Sequence, residues 1–204
     1  YIGFDGLILK IKKRNIVKKS LTAEVYSSGV LESNKGVHLN KQVKLNSLTE
    51  KDKKIIHYAK KSGIKLFAMS FVNNGQDVNE IRKLIGNKCF LISKIETSNA
   101  IKNIKSISRN SDALLIDRGD LSRYVSIEKI PLAQEFIIKN AKKMKIPVYV
   151  ATNLLETMVK YSLPTRAESH DIYSTLKQGA SGLVLAAETA IGANPLKCII
   201  FLKK

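Results

Sequence analysis

Lys94-Ile95-Glu96 closes a short apolar run, Cys89 to Lys94 (CFLISK). On an extended chain, residues two apart point the same way, so the Lys94 ammonium and the Glu96 carboxylate face one space. Together they can clamp a phosphoryl group and a divalent metal, whereas on an ordinary solvated strand they would form only an ion pair. Phe90, Leu91 and Ile92 ahead of them argue for a buried strand, where terminal charges have a task. A second apolar run, Ala113 to Ile116, leads into Asp117-Arg118-Gly119-Asp120-Leu121. Gly119 permits a tight turn whose amides can approach an anion, and Asp120 offers the hard oxygen that Mg²⁺ favours. Two carboxylates from neighbouring strand ends, Glu96 and Asp120, with a lysine beside them form the kind of ligand set that holds a metal in phosphoryl-transfer sites.

These residues need elements to position them. From about Thr49 onward, apolar runs alternate with segments of helical period, the mark of βα units and a parallel sheet. Five strands are expected: Lys65 to Phe71, Cys89 to Lys94, Ala113 to Ile116, Val148 to Ala151 and Gly182 to Ala187, each too continuously apolar to have a wet face. Thr49 with Asp52 caps a helix expected to bury Ile55, Ile56 and Ala59 and to stop at Gly63. Val78, Ile81 and Leu84 form the next stripe, ending at Gly86. Thr165 with Glu168 is a capping box ahead of Ile172 and Leu176, with Gly179 as the stop, and Asn194-Pro195 opens the last helix. Polar side chains fall at every strand end: Ser70, then Lys94 and Glu96, Asp117 and Asp120, Thr152, and Glu188. In a parallel αβ barrel the chemistry lies at that end. Before Thr49 the runs Leu7-Ile8-Leu9, Ala23 to Tyr26 and Gly29-Val30-Leu31 suggest a small all-β module, joined through residues 39–48.

Composition narrows the class. A chain of 204 residues, 44% hydrophobic and 25% charged, can bury one substantial core, which argues against disorder. There is no stretch of eighteen uncharged apolar residues and no signal-peptide pattern at the start, so the expectation is a cytoplasmic protein without a membrane partner. The net charge of +18 is spread along the chain apart from Lys10-Ile11-Lys12-Lys13-Arg14 and Lys18-Lys19. With no nucleic-acid-binding motif beside it, this is read as a solvated lysine-rich surface. Cys89 and Cys198, in apolar surroundings without metal-ligand spacing, are read as buried thiols.

Five segments resemble the pyruvate kinase family in order and approximate spacing: Ser93-Lys94-Ile95-Glu96, Arg118-Gly119-Asp120-Leu121, Ala151 to Met158 (ATNLLETM), Pro164 to Glu168 (PTRAE) and Glu188-Thr189-Ala190. Gly29 to Val37 is similar to the end of that family's small inserted β-domain. The resemblance implies an α/β fold, a partial (β/α)8 TIM-type barrel of about five parallel strands with helices plus part of a small β-domain. Residues 1–45 would be the C-terminal part of the inserted domain, a lid, and residues 46–204 the barrel segment. It implies phosphoryl transfer from phosphoenolpyruvate to ADP, giving pyruvate and ATP in glycolysis. Glu96 and Asp120 would hold Mg²⁺ or Mn²⁺, and Lys94 would neutralise the moving phosphoryl group. The backbone of Gly119 and Asp120, with the Thr152 hydroxyl, would receive the substrate carboxylate, and Lys35 would touch nucleotide phosphates. K⁺ is implied too, with ligands outside this chain, as is a homo-oligomer for the full-length protein.

Departures accompany the match. Asp117 replaces a small residue, placing a negative charge beside a site for a trianion. Leu185-Ala186-Ala187 stands where the family has Leu-Ser-Gly, removing a hydroxyl, and Ser122 replaces a glycine. Only five strands are legible and the first residue is Tyr1, so a fragment of a longer chain is expected, or a second polypeptide completing the barrel. A catalytically impaired regulatory or binding domain, and another enzyme using phosphoenolpyruvate or pyruvate on the same barrel, stay open beside the kinase reading.

Overall fold

A computed structural model of the chain describes residues 2–4, 7–29, 37–39 and 46–203. It divides into two compact units, Tyr1–Asn46 and Ser47–Lys204. In the first, β1 (Ile2–Phe4), β2 (Leu7–Asn15), β3 (Ser20–Ser27) and β4 (His38–Leu39) form an antiparallel sheet in the order β3-β2-β1-β4. The runs at Leu7 and Ala23 thus belong to one long hairpin, and the basic cluster at Lys10 lies along β2. The turn from Ile16 to Lys19 is closed by Lys19 in the left-handed region, φ 47°. Gly29 lies past the end of β3, while Val30 and Leu31 fall outside the described residues.

The second unit contains all five expected parallel strands, in chain order: β5 (Leu66–Met69), β6 (Phe90–Ile95), β7 (Ala113–Asp117), β8 (Val148–Ala151) and β9 (Gly182–Val184). Helices run between them: α1 (Glu50–Lys61) before β5, α2 (Gly75–Ile85), α3 (Ser98–Lys102), α4 (Ile104–Ser108), α5 (Arg118–Leu121), α6 (Ile130–Lys143) and α7 (Arg166–Gln178). Then α8 (Ala187–Ala190) and α9 (Pro195–Leu202) follow β9. One face of the sheet, carrying Leu91, Ile95, Leu114, Ile116, Val148 and Val150, packs on Val78, Ile81, Ile107, Ile137 and Ile138 of the helices. A smaller cluster joins Leu154, Leu155, Met158, Ile172 and Cys198. Among the described residues no helix is long and apolar enough to cross a membrane.

The capping boxes form as the spacing demands. Thr49 with Asp52 and Thr165 with Glu168 exchange side-chain and backbone hydrogen bonds, and Gly179 ends α7 at φ 106°. Asn74 with Asp77 adds a third box, which the sequence reading passed over because no Ser or Thr marks it.

Several expectations are corrected. Ile55 faces outward, because α1 buries only a narrow stripe. The Asn194 side chain does not cap α9; its amide donates to the Tyr161 carbonyl at 3.1 Å, leaving Pro195 to start the helix. The last strand ends at Val184, not Ala187, and the outer strands are not dry: Leu66 is 63% exposed. Cys198 is buried, but Cys89 only half so.

Candidate functional site

Parallel register brings the polar strand ends together. Lys94 pairs with Leu115, Asp117 with Ala151 and Ala151 with Val184, so the residues just beyond each pair lie at one end of the sheet. On β6, Leu91, Ser93 and Ile95 point into the helix layer, which leaves Lys94 on the opposite face. There its Nζ lies 2.6 Å from Glu96 Oε1 and 3.0 Å from Asp117 Oδ2. Carboxylate oxygens of Glu96, Asp117 and Asp120 lie within 4.8 Å of one another, a spacing that could hold a metal ion.

Glu96 is fully buried. Its Oε2 accepts the Phe71 amide at 2.5 Å, and its Oε1 is held by the Lys94 ammonium at 2.6 Å. Burial raises its pKa above the ordinary carboxylate value, because loss of water costs the anion more than Lys94 and the Phe71 amide return. For Lys94, burial works against the ammonium, but hydrogen bonds from it to Glu96 and Asp117 outweigh that and raise its pKa. Lys94 is therefore a fixed cation. Three hard carboxylate oxygens this close together fit a small divalent cation.

Thr152 sits just past β8. Its Oγ1 accepts the Gly119 amide at 2.8 Å and lies 2.6 Å from the Ala151 carbonyl and 3.3 Å from Asp117 Oδ1. Its single proton goes to the shorter contact, the backbone carbonyl. The Asp120 amide donates to Asp117 Oδ1 at 3.4 Å, so Asp117 caps α5. Both amides assigned to a substrate carboxylate thus have internal partners.

Backbone strain gathers at these strand ends: Phe71 (φ 53°), Thr152 (φ 70°) and Asn153 (φ 53°) are all left-handed without being glycine. Arg118, a residue the sequence reading gave no role, holds the second of these turns. Its Nε and Nη2 donate to the Thr152 carbonyl at 3.1 and 2.7 Å, Nη2 also to the Asn153 carbonyl at 2.8 Å, and Nη1 pairs with Asp171 at 2.7 Å. An arginine between a buried strand and a Gly-Asp pair is the only local signal, and its partners lie 34 and more residues away.

The remaining expected residues divide. Ser70 is exposed in the turn after β5. Glu188 is buried on α8, where it accepts the Leu155 amide at 3.1 Å and the Ala186 amide at 2.8 Å, a structural task. Lys35 lies outside the described residues.

Parallel βα units with a lysine and three carboxylates at the carboxyl ends of the strands define an α/β-barrel-type protein with a charged mouth. The family model described as "Pyruvate kinase, barrel domain" matches residues 2–199. The chain belongs to the pyruvate kinase family. It is 36% identical to a pyruvate kinase of Agrobacterium vitis over 202 residues, covering 97% of this chain and 42% of that protein. To chloroplastic pyruvate kinase isozyme G of Nicotiana tabacum it is 39% identical over 203 residues, 97% of this chain and 35% of that one. To a pyruvate kinase of Methanocaldococcus jannaschii it is 38% identical over 200 residues, 96% of this chain and 45% of that one. The chain therefore spans between a third and a half of the length of these relatives.

Proposed function

We propose that the full-length protein transfers the phosphoryl group of phosphoenolpyruvate to ADP, and that residues 46–204 supply the core of that site. The observation that carries this reading is the convergence of Lys94, Glu96 and Asp120 at neighbouring strand tips, in a chain of the pyruvate kinase family. Residues 1–45 are assigned to the end of the inserted β-domain, with Lys35 as its nucleotide-phosphate contact.

Glu96 and Asp120 would hold Mg²⁺ or Mn²⁺, which when bound supplies positive charge to the substrate's carboxylate and phosphate oxygens. Lys94 neutralises the phosphoryl group while its bond to the enol oxygen breaks and a bond to a terminal phosphate oxygen of ADP forms. The amides of Gly119 and Asp120 and the Thr152 hydroxyl orient the substrate carboxylate. The enolate left behind takes one proton to become pyruvate, and Ala186 brings no hydroxyl for that step.

A coupled assay for pyruvate formation, on the full-length protein with Mg²⁺ and K⁺, tests the proposal. Lys94→Ala is expected to abolish turnover while metal binding is retained, since a lysine is not a ligand to a divalent cation. Equal rates in variant and parent would refute the role of Lys94. The second reading, a non-catalytic binding domain, draws on the internal partners already held by Lys94 and both amides. It predicts metal binding without turnover.

A further inference from the structure

One carboxylate, that of Asp117, lies on the donors that the reading above reserves for the substrate. Its Oδ2 is 3.0 Å from Lys94 Nζ, and its Oδ1 is 3.4 Å from the Asp120 amide nitrogen and 3.3 Å from Thr152 Oγ1. Asp117 is 8% exposed, so water competes little for these contacts. A carboxylate set against an ammonium and an amide makes the same kind of contacts as the carboxylate of a bound acid would.

We propose that Asp117 is a specificity-determining residue, an internal anion occupying the substrate-carboxylate cradle, which an incoming carboxylate ligand must displace. The proposal rests on the phosphoenolpyruvate reading. Charge acts in the same direction: with Asp117 present, three carboxylates face the Lys94 ammonium and the Arg123 guanidinium, which lies 3.5 Å from Asp120, so the net charge is negative and an anion is disfavoured until a divalent ion is bound. Asp117→Ala frees the Asp120 amide and leaves Lys94 paired with Glu96 alone. Asp117→Asn removes the charge but retains an acceptor for the Asp120 amide, and with it the start of α5.

Calorimetric titration of phosphoenolpyruvate into the full-length, Mn²⁺-loaded protein tests this. The dissociation constant is expected to fall about 10- to 100-fold in Asp117→Ala, the worth of one hydrogen bond to a charged group. It should fall by a smaller factor in Asp117→Asn, and KM should follow Kd. Parent binding that is unchanged or weakened in both variants overturns the proposal. If Mn²⁺ binding without substrate also weakens in them, Asp117 is a metal ligand instead. A parent that binds Mn²⁺ while neither it nor either variant takes phosphoenolpyruvate overturns the underlying reading, a result distinct from failure of the Asp117 step alone. If Asp117→Ala does not fold, Asp117→Asn carries the same comparison.

Discussion

The guanidinium of Arg118 spans the gap between β7 and the turn after β8, bonding the carbonyls of Thr152 and Asn153 and the carboxylate of Asp171. A β-branched residue at φ 70° costs about 1–3 kcal/mol, and such strain persists only where neighbours hold it. Lysine offers one compact charge in place of a planar fork and cannot reach all three oxygens. Arg118→Lys should therefore lower stability by about 1–3 kcal/mol, the loss of buried charge-assisted bonds. The check is a lower denaturant midpoint at unchanged slope; an unmoved midpoint would mean that the turn holds itself. Lys94, Glu96, Asp120 and Thr152 were legible because each follows an apolar run at a fixed end of a βα unit. Arg118 was not, since its value lies in carbonyls far along the chain. The sequence shows the charge of Asp117 but not where it points, so its pairing with Lys94 is visible only in the structure.

At the scale of elements, Glu168 ties two segments together. It closes the capping box of α7 with Thr165 and accepts hydrogen bonds from both the amide and the hydroxyl of Thr157, in the short helical turn Glu156–Val159. Burial pushes its pKa up, but the bonds from Thr157 and Thr165 outweigh that and hold it below 4.5, the unperturbed value. A carboxyl with a lowered folded pKa stabilises above its unfolded pKa and loses that stabilisation as pH falls through the folded one. Parent and Glu168→Gln should thus differ by about 1 kcal/mol near neutrality, a figure kept small because the site is partly solvated and glutamine can still cap. The difference should shrink as pH falls below the unfolded value and vanish only below the lowered folded one, as the carboxyl becomes neutral. Denaturant melts across that range decide it, and a gap that persists at low pH would assign the effect to packing. Capping boxes were readable because their signal spans four residues. The outward turn of Ile55 was not, because a 3.6-residue period gives a stripe without saying how wide the neighbouring layer is.

For the molecule as a whole, the parallel sheet has two outer strands. Among the described residues, β5 is paired only with β6 and β9 only with β8. Leu66 and its register partner Phe90 expose apolar side chains side by side on neighbouring strands, and Val184 does so on β9. The apolar runs were read correctly as strands, but dryness was inferred from composition, and composition does not record how many neighbours a strand has. Unpaired, apolar strand edges attract other chains. Against this stands the net charge of +18, which keeps copies apart at low ionic strength. The 204-residue chain on its own should therefore show an apparent mass in sedimentation that rises with protein concentration, and more steeply at high salt, where the charge is screened. Leu66→Lys with Val184→Lys should flatten that rise. If association is present but weakens with salt, charge rather than the sheet edge drives it; if the parent stays monomeric at every concentration and salt, the exposed edges are not sticky enough to matter.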